Sequence, residues 1–144
     1  MANLLISALA ILSFLLSSTS QNIEKAFLQN NPKMLYKLFA SESYVNVSLP
    51  EPIYYSDQLS NQQAYFLFQK IFSTYSTFEF YSDRQSLSSQ NQSYILKARW
   101  SFRNKRNNNQ YVFNIFFYLI NRQEQKKDII ENAWEITEIK AEKI

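Results

Sequence analysis

At 144 residues, 46% hydrophobic and 17% aromatic, the chain has the material for one packed domain and not for a disordered tail. It contains no Gly, Cys or His, which removes Gly-rich phosphate loops and nucleophile elbows, disulfides and thiol nucleophiles, and Ser-His-Asp or Cys-His machinery. With a formal net charge of +3, a pI near 9.0 and no Asp-x-Asp-type calcium loop, catalysis would fall to Asp, Glu, Tyr, Lys or Arg, and no metal or cofactor is expected.

The run LLISALAILSFLL, Leu4 to Leu16, is apolar and uncharged. It fits the roughly 7–15 residues of a signal-peptide core and falls short of the roughly 20 needed to span a bilayer. Small residues at Ser18 and Ser20 precede Gln21, so the expectation is a signal peptide over 1–20 and a single exported domain, periplasmic or extracellular, over 21–144. No later segment reads as a membrane span, and no Cys follows to carry a lipid. The absence of Lys or Arg before Leu4 departs from the signal pattern and keeps open an uncleaved anchor or a buried first helix.

Ile23, Ala26, Phe27 and Asn30 recur at helical spacing opposite Glu24, Lys25 and Gln29, predicting a short amphipathic helix over Asn22–Asn30. Asn31 and Pro32 read as N-cap and first residue of a second helix, with Leu35, Leu38 and Phe39 on its stripe and an end near Ser41–Ser43. Tyr44–Leu49 alternates with period two and predicts a strand closed by Pro50 and Pro52, answered by a short strand over Ile53–Tyr55. Ser60 and Gln63 form a capping box for a longer helix that buries Ala64, Leu67, Phe68, Ile71, Phe72 and Tyr75. From Ser76 the period switches to two through TFEFYSD, SYILKARWSF, YVFNIFFYLI and AWEITEIKAEKI, with polar stretches at 104–109 and 122–132. The fold class is α+β, with N-terminal helices packed on a curved, mostly antiparallel sheet.

The segments IEKAFLQNNPKMLYKLFASESYVNVSL, YYS ahead of a helix ending FQKIF, YILKARW, YVFNIFFYLI and WEITEIKAEKI run in an order that resembles the nuclear transport factor 2-like, or cystatin-like cone, fold. Within it they resemble a family of small exported Bacteroidota proteins of unknown function, from Ile23 to the last residue. Two departures stand out. In that family the Ser after the second-strand Tyr caps the third helix, whereas here DQLSN follows Ser56 and the cap moves to Ser60. A Gly-containing turn between the fourth and fifth strands is replaced by NKRNNN, which Asn accommodates by tolerating left-handed backbone.

The resemblance implies sibling enzymes that set an Asp or His base against Tyr or acid donors inside the cone. Only carboxylates are available here, among them Glu24, Asp57, Glu79, Asp83, Glu135 and Glu138, and none forms an evident acid-base pair. Glu79 lies between Phe78 and Phe80, and Glu135 and Glu138 are expected on opposite faces of the last strand. The favoured expectation is a non-catalytic exported binding or accessory module. The alternative is a small-molecule isomerase or dehydratase using a cavity carboxylate and Tyr.

One stretch combines charge with aromatic character: KARWSFRNKR, Lys97 to Arg106. A two-residue turn at Arg106-Asn107 pairs Phe102 with Tyr111, Trp100 with Phe113 and Ala98 with Ile115, making one apolar face. Behind it Arg99 faces Asn114, Lys97 faces Phe116 and Ile95 faces Tyr118. Lys97, Arg99, Asn114, Phe116 and Tyr118 are the candidate surface, with three readings: a solvated outer face, a homodimer interface through the sheet, or a site for a small molecule or anionic glycan. Nucleic acid, which basic-aromatic spacing invites, conflicts with export.

Overall fold

The computed structural model describes residues 18–83, 93–126 and 129–144, with side chains left out over 123–132; the expected leader before residue 18 and its cleavage signal as a whole lie outside this description. Helix α1 covers 18–28, so the described helix starts ahead of Asn22 and takes in Ser18 to Ser20, with Thr19 and Ser20 buried. It ends two residues before the expected Asn30, which turns into left-handed backbone at φ 49 and offers its side-chain oxygen to the Thr77 amide at 3.2 Å. The switch in conformation stops the helix, and Asn is the residue type that tolerates it.

Helix α2 is Pro32–Tyr36, capped by Asn31, whose Oδ1 accepts from the Lys33 amide at 3.1 Å. It is shorter than expected. After Tyr36 the chain loosens into turns and Phe39 bridges to Ile136 in parallel, with the Ala40 amide donating to the Ile136 carbonyl at 2.9 Å. Pairing with the sheet thus captures the segment that the apolar spacing assigned to helix.

Strand β1 is Val45–Leu49 and β2 is Tyr55–Leu59. The second strand begins where the expected Ile53–Tyr55 ends. The amides of Ile53 and Tyr54 both donate back to the Pro50 carbonyl, and Tyr54 sits at φ 50, so ladder pairing starts only at Tyr55. Ser56, Asp57 and Gln58 lie beyond the expected strand but are exposed on an edge strand, where polar residues discourage edge-to-edge pairing.

Helix α3 is Asn61–Thr74, opened by the full capping box: Ser60 Oγ accepts from the Gln63 amide at 3.2 Å, and Gln63 Oε1 accepts from the Ser60 amide at 2.9 Å. It passes without a linker into β3, Tyr75–Asp83, followed by β4, Ser93–Asn104, β5, Gln110–Lys126, and β6, Ile129–Lys143. The six-stranded sheet has the order β2-β1-β6-β5-β4-β3, antiparallel except where β1 meets β6. The β4–β5 register is the expected one, Phe102 with Tyr111, Trp100 with Phe113 and Ala98 with Ile115. The connection is wider than two residues: the Asn104 amide donates to the Asn109 carbonyl at 2.9 Å, and Asn108 takes the left-handed position at φ 61.

The core lies between the helices and the inner face of the sheet. Phe27 of α1 is its centre, with ring centroids between 4.8 and 6.0 Å from Phe68, Phe72, Phe80, Trp100 and Phe117. Trp100 is fully buried and its indole N–H donates to Thr77 Oγ1 at 2.9 Å, which satisfies the one polar atom that this side chain brings inside.

Candidate functional site

The five candidate residues do share one surface, the outer face of β4 and β5. Lys97 stands opposite Phe116, Arg99 opposite Asn114 and Ile95 opposite Tyr118, and Lys97 Nζ lies 5.9 Å from the Phe116 ring centroid. Val112, Phe116, Tyr118 and Ile120 are only half-buried there, and Ile95 is exposed.

The sheet order enlarges this face beyond the sequence reading. A β-bulge between Thr77 and Glu79 turns Phe78 and Glu79 outward together, and exposed Phe78 receives Arg103 at 5.4 Å from its ring centroid. Tyr81 pairs with Arg99 and is 65% exposed. On the far side a second irregularity, between Tyr118 and Leu119, pairs Tyr118 with Glu138 but Leu119 with Ile136 and Ile120 with Glu135. Thr137 is the extra residue, and its hydroxyl donates to the Tyr118 carbonyl at 3.2 Å. Glu135 and Glu138 therefore both face outward, which corrects the expectation of opposite faces: strict alternation fails where a residue is inserted.

The outer face is banded. β4 supplies Lys97, Arg99 and Arg103; β5 supplies the apolar stripe; β6 supplies Glu135, Glu138 and Glu142, with Lys140 the described base of β6 that shares this face. Glu135 faces Arg122: Arg122 Nε lies 2.9 Å from Glu135 Oε2, Nη1 lies 2.9 Å from Glu42 Oε2, and Nη2 donates to Ser43 Oγ at 3.0 Å. Arg122 ties β5 and β6 to the segment ahead of β1, a role that no local pattern around it announces.

The inner face gives the other half of the answer. Buried polar residues among those described are Thr19, Ser20, Thr77 and Ser101, and no described Asp or Glu is buried in the cone. A cavity of about 180 Å³ opens where α3 meets the β1–β2 hairpin, lined by Ile53, Tyr55, Leu67, Lys70, Ile71, Thr74 and Tyr75. Burial, with a smaller push from the charge of Asp57, raises the Tyr55 phenol; burial, then the neighbouring Tyr111, raises that of Tyr75. Asp57 pairs with the inward-facing Val47 at the sheet edge and is itself exposed. No group of three or more metal-ligating side chains occurs among the described residues, and no described helix is long and apolar enough to cross a membrane.

Helices on one face of a curved six-stranded sheet, with its central strands long and its first and last strands parallel, define the nuclear transport factor 2-like cone. The solved structures most informative about this chain bear that out. A DUF4783 family protein from Bacteroides ovatus matches 83% of this chain and 90% of its own at 16% identity, TM-score 0.58, and one from Bacteroides uniformis matches 86% and 95% at 13% identity, TM-score 0.60. A ketosteroid isomerase-like protein from Erwinia carotovora atroseptica matches 90% and 94% at 10% identity, TM-score 0.64. At these identities the likeness is one of fold. No protein-family model and no curated protein matches the chain.

Proposed function

We propose that the protein is an exported, non-catalytic binding or accessory module that self-associates through the outer face of its sheet. The observation that carries this reading is the banding of that face. A two-fold axis running along β5 places the β4 band of one copy over the β6 band of the other, which brings Arg99 level with Glu142 and Ile95 level with Glu138 on both flanks of the shared apolar stripe, with Lys97 level with Lys140. Burial of the stripe at about 25 cal/mol per Å² drives association, and the lost rigid-body freedom offsets much of it, leaving a weak or moderate dimer. Lys97 and Arg99 lie at its rim, where charge stays hydrated. Export rests on the apolar leader, and the non-catalytic reading rests on an interior occupied by Phe27 and its aromatic neighbours.

The test is sedimentation velocity of the mature protein and of two charge-reversed variants. Lys97→Glu with Arg99→Glu reverses two charges of the β4 band, and Glu138→Lys with Glu142→Lys reverses two of the β6 band. Each alone is expected to be monomeric, and an equimolar mixture to recover the dimer. A wild type that stays monomeric at high micromolar concentration, or a mixture that shows no recovery, refutes the interface. A second reading, the small-molecule isomerase or dehydratase, draws on Tyr55 beside Asp57 at the cavity mouth. It requires turnover that Asp57→Asn and Tyr55→Phe each abolish.

A further inference from the structure

The helical layer has a charge distribution of its own. Across α1, α2 with its cap Lys37, and α3, the exposed charged side chains are Lys25, Lys33, Lys37 and Lys70, and the only acid in these described helices, Glu24, is half-buried. Between α2, with the Lys37 that caps it, and the first half of α3 lies a groove of about 340 Å³ lined by Lys33, Tyr36, Lys37, Gln62, Tyr65 and Phe66. Its floor and walls are aromatic. Tyr36 and Tyr65 meet edge to face with centroids 5.4 Å apart, and Tyr65 meets Phe66 at 5.5 Å. Phe66 is 54% exposed and Tyr36 41%, a large apolar area that no described element covers.

We infer that this groove is a binding site for an organic anion with a flat apolar body, an aromatic or short acyl carboxylate. The volume sits at the small end of the range for small-molecule pockets. A ring entering between Tyr36 and Phe66 gains further edge and offset contacts of the kind already present there. Lys33 and Lys37 are one helical turn apart, so their ammonium groups repel, and a carboxylate held between them relieves that repulsion while their alkyl stems cover the ligand's sides. Among the described residues no carboxylate lines the groove to compete. Gln62 supplies an amide for a second polar contact at the opposite lip. This site is separate from the sheet face, and it stands or falls independently of the dimer.

The experiment is amide chemical-shift mapping of the folded protein with 3-phenylpropionate and, in parallel, the uncharged 3-phenylpropan-1-ol. The acid is expected to give saturable shifts centred on α2 and the first half of α3, with a dissociation constant on the order of 1 mM. The alcohol is expected to bind about fivefold more weakly, the factor that exposed charge pairs typically contribute. Lys33→Gln with Lys37→Gln brings the acid down to the alcohol's level and leaves the alcohol unchanged, while Phe66→Ala weakens both. Equal binding of acid and alcohol, or shifts centred elsewhere, overturns the assignment. So does co-sedimentation with phosphatidylglycerol vesicles without saturable shifts from the acid, which would make the same residues a membrane-docking face.

Discussion

Phe27→Ala tests the claim that the cone is plugged from within. The side chain is wholly buried and packs on Phe68, Phe72, Phe80, Trp100 and Phe117, which come from α3, β3, β4 and β5, so no single neighbour can collapse into the space it leaves. Truncations of this kind cost about 3–5 kcal/mol, against roughly 5–15 kcal/mol for the stability of a whole domain. For a domain of this size the loss corresponds to a fall in midpoint of roughly 10–16 °C. Thermal unfolding followed by near-ultraviolet circular dichroism reports it, since Trp100 stacks in the same cluster. The variant should also regain stability in benzene-saturated buffer, because a dry cavity lined by rings accepts an apolar guest. A cost below about 1 kcal/mol, or a loss that benzene does not restore, would show that Phe27 does not fill the cone.

The Arg122 junction and the buried phenols give two further expectations. Arg122→Ala removes the 2.9 Å ion pair of Glu135, whose side chain is only 12% exposed, and should cost about 1–3 kcal/mol by urea denaturation, whereas Glu42→Gln, at a side chain 76% exposed, should cost a few tenths; equal costs would refute the account of the junction. Tyr55, Tyr75 and Tyr94 have phenols raised above the ordinary value, so the folded state holds those protons more tightly than the unfolded chain does. Their contribution to stability is complete below about pH 10 and is lost as pH rises through the folded values. Ultraviolet titration should show these tyrosines ionising late and together with alkaline unfolding; early, reversible ionisation of every tyrosine in the folded protein would contradict the burial.

Where period and packing agree, the sequence was readable. Trp100, Phe102, Phe113 and Ile115 lie at period two between an Asn-rich turn, and the register that brings Lys97 to Phe116 and Arg99 to Asn114 followed from that alone. The misreadings occur where a non-local partner or an inserted residue decides. Phe39 sits at helical spacing but pairs with Ile136, nearly a hundred positions away, and nothing around it signals that partner. Tyr54 in left-handed backbone delays β2 past Ile53, and such a conformation is not legible from a Tyr. The bulge at Thr137 moves Glu135 to the face of Glu138, completing an acidic band that strict alternation had split. The groove of Tyr36, Tyr65 and Phe66 escaped because each lies off the buried stripe of its own helix, where an aromatic residue carries no pattern.

The place of β6 in the sheet sets a schedule for building the molecule. It lies between β1 and β5, pairing in parallel with the first strand and antiparallel with the fifth, yet it is made after all of them. Until it arrives, the β1–β2 hairpin and the β3–β4–β5 meander are separate pieces, each with an open edge, and the apolar side chains of Ile136 and Ile139 that join their cores are missing. A growing chain of this kind cannot finish its sheet early. The hairpin and the meander join into one sheet only once β6 has slotted into the gap between them.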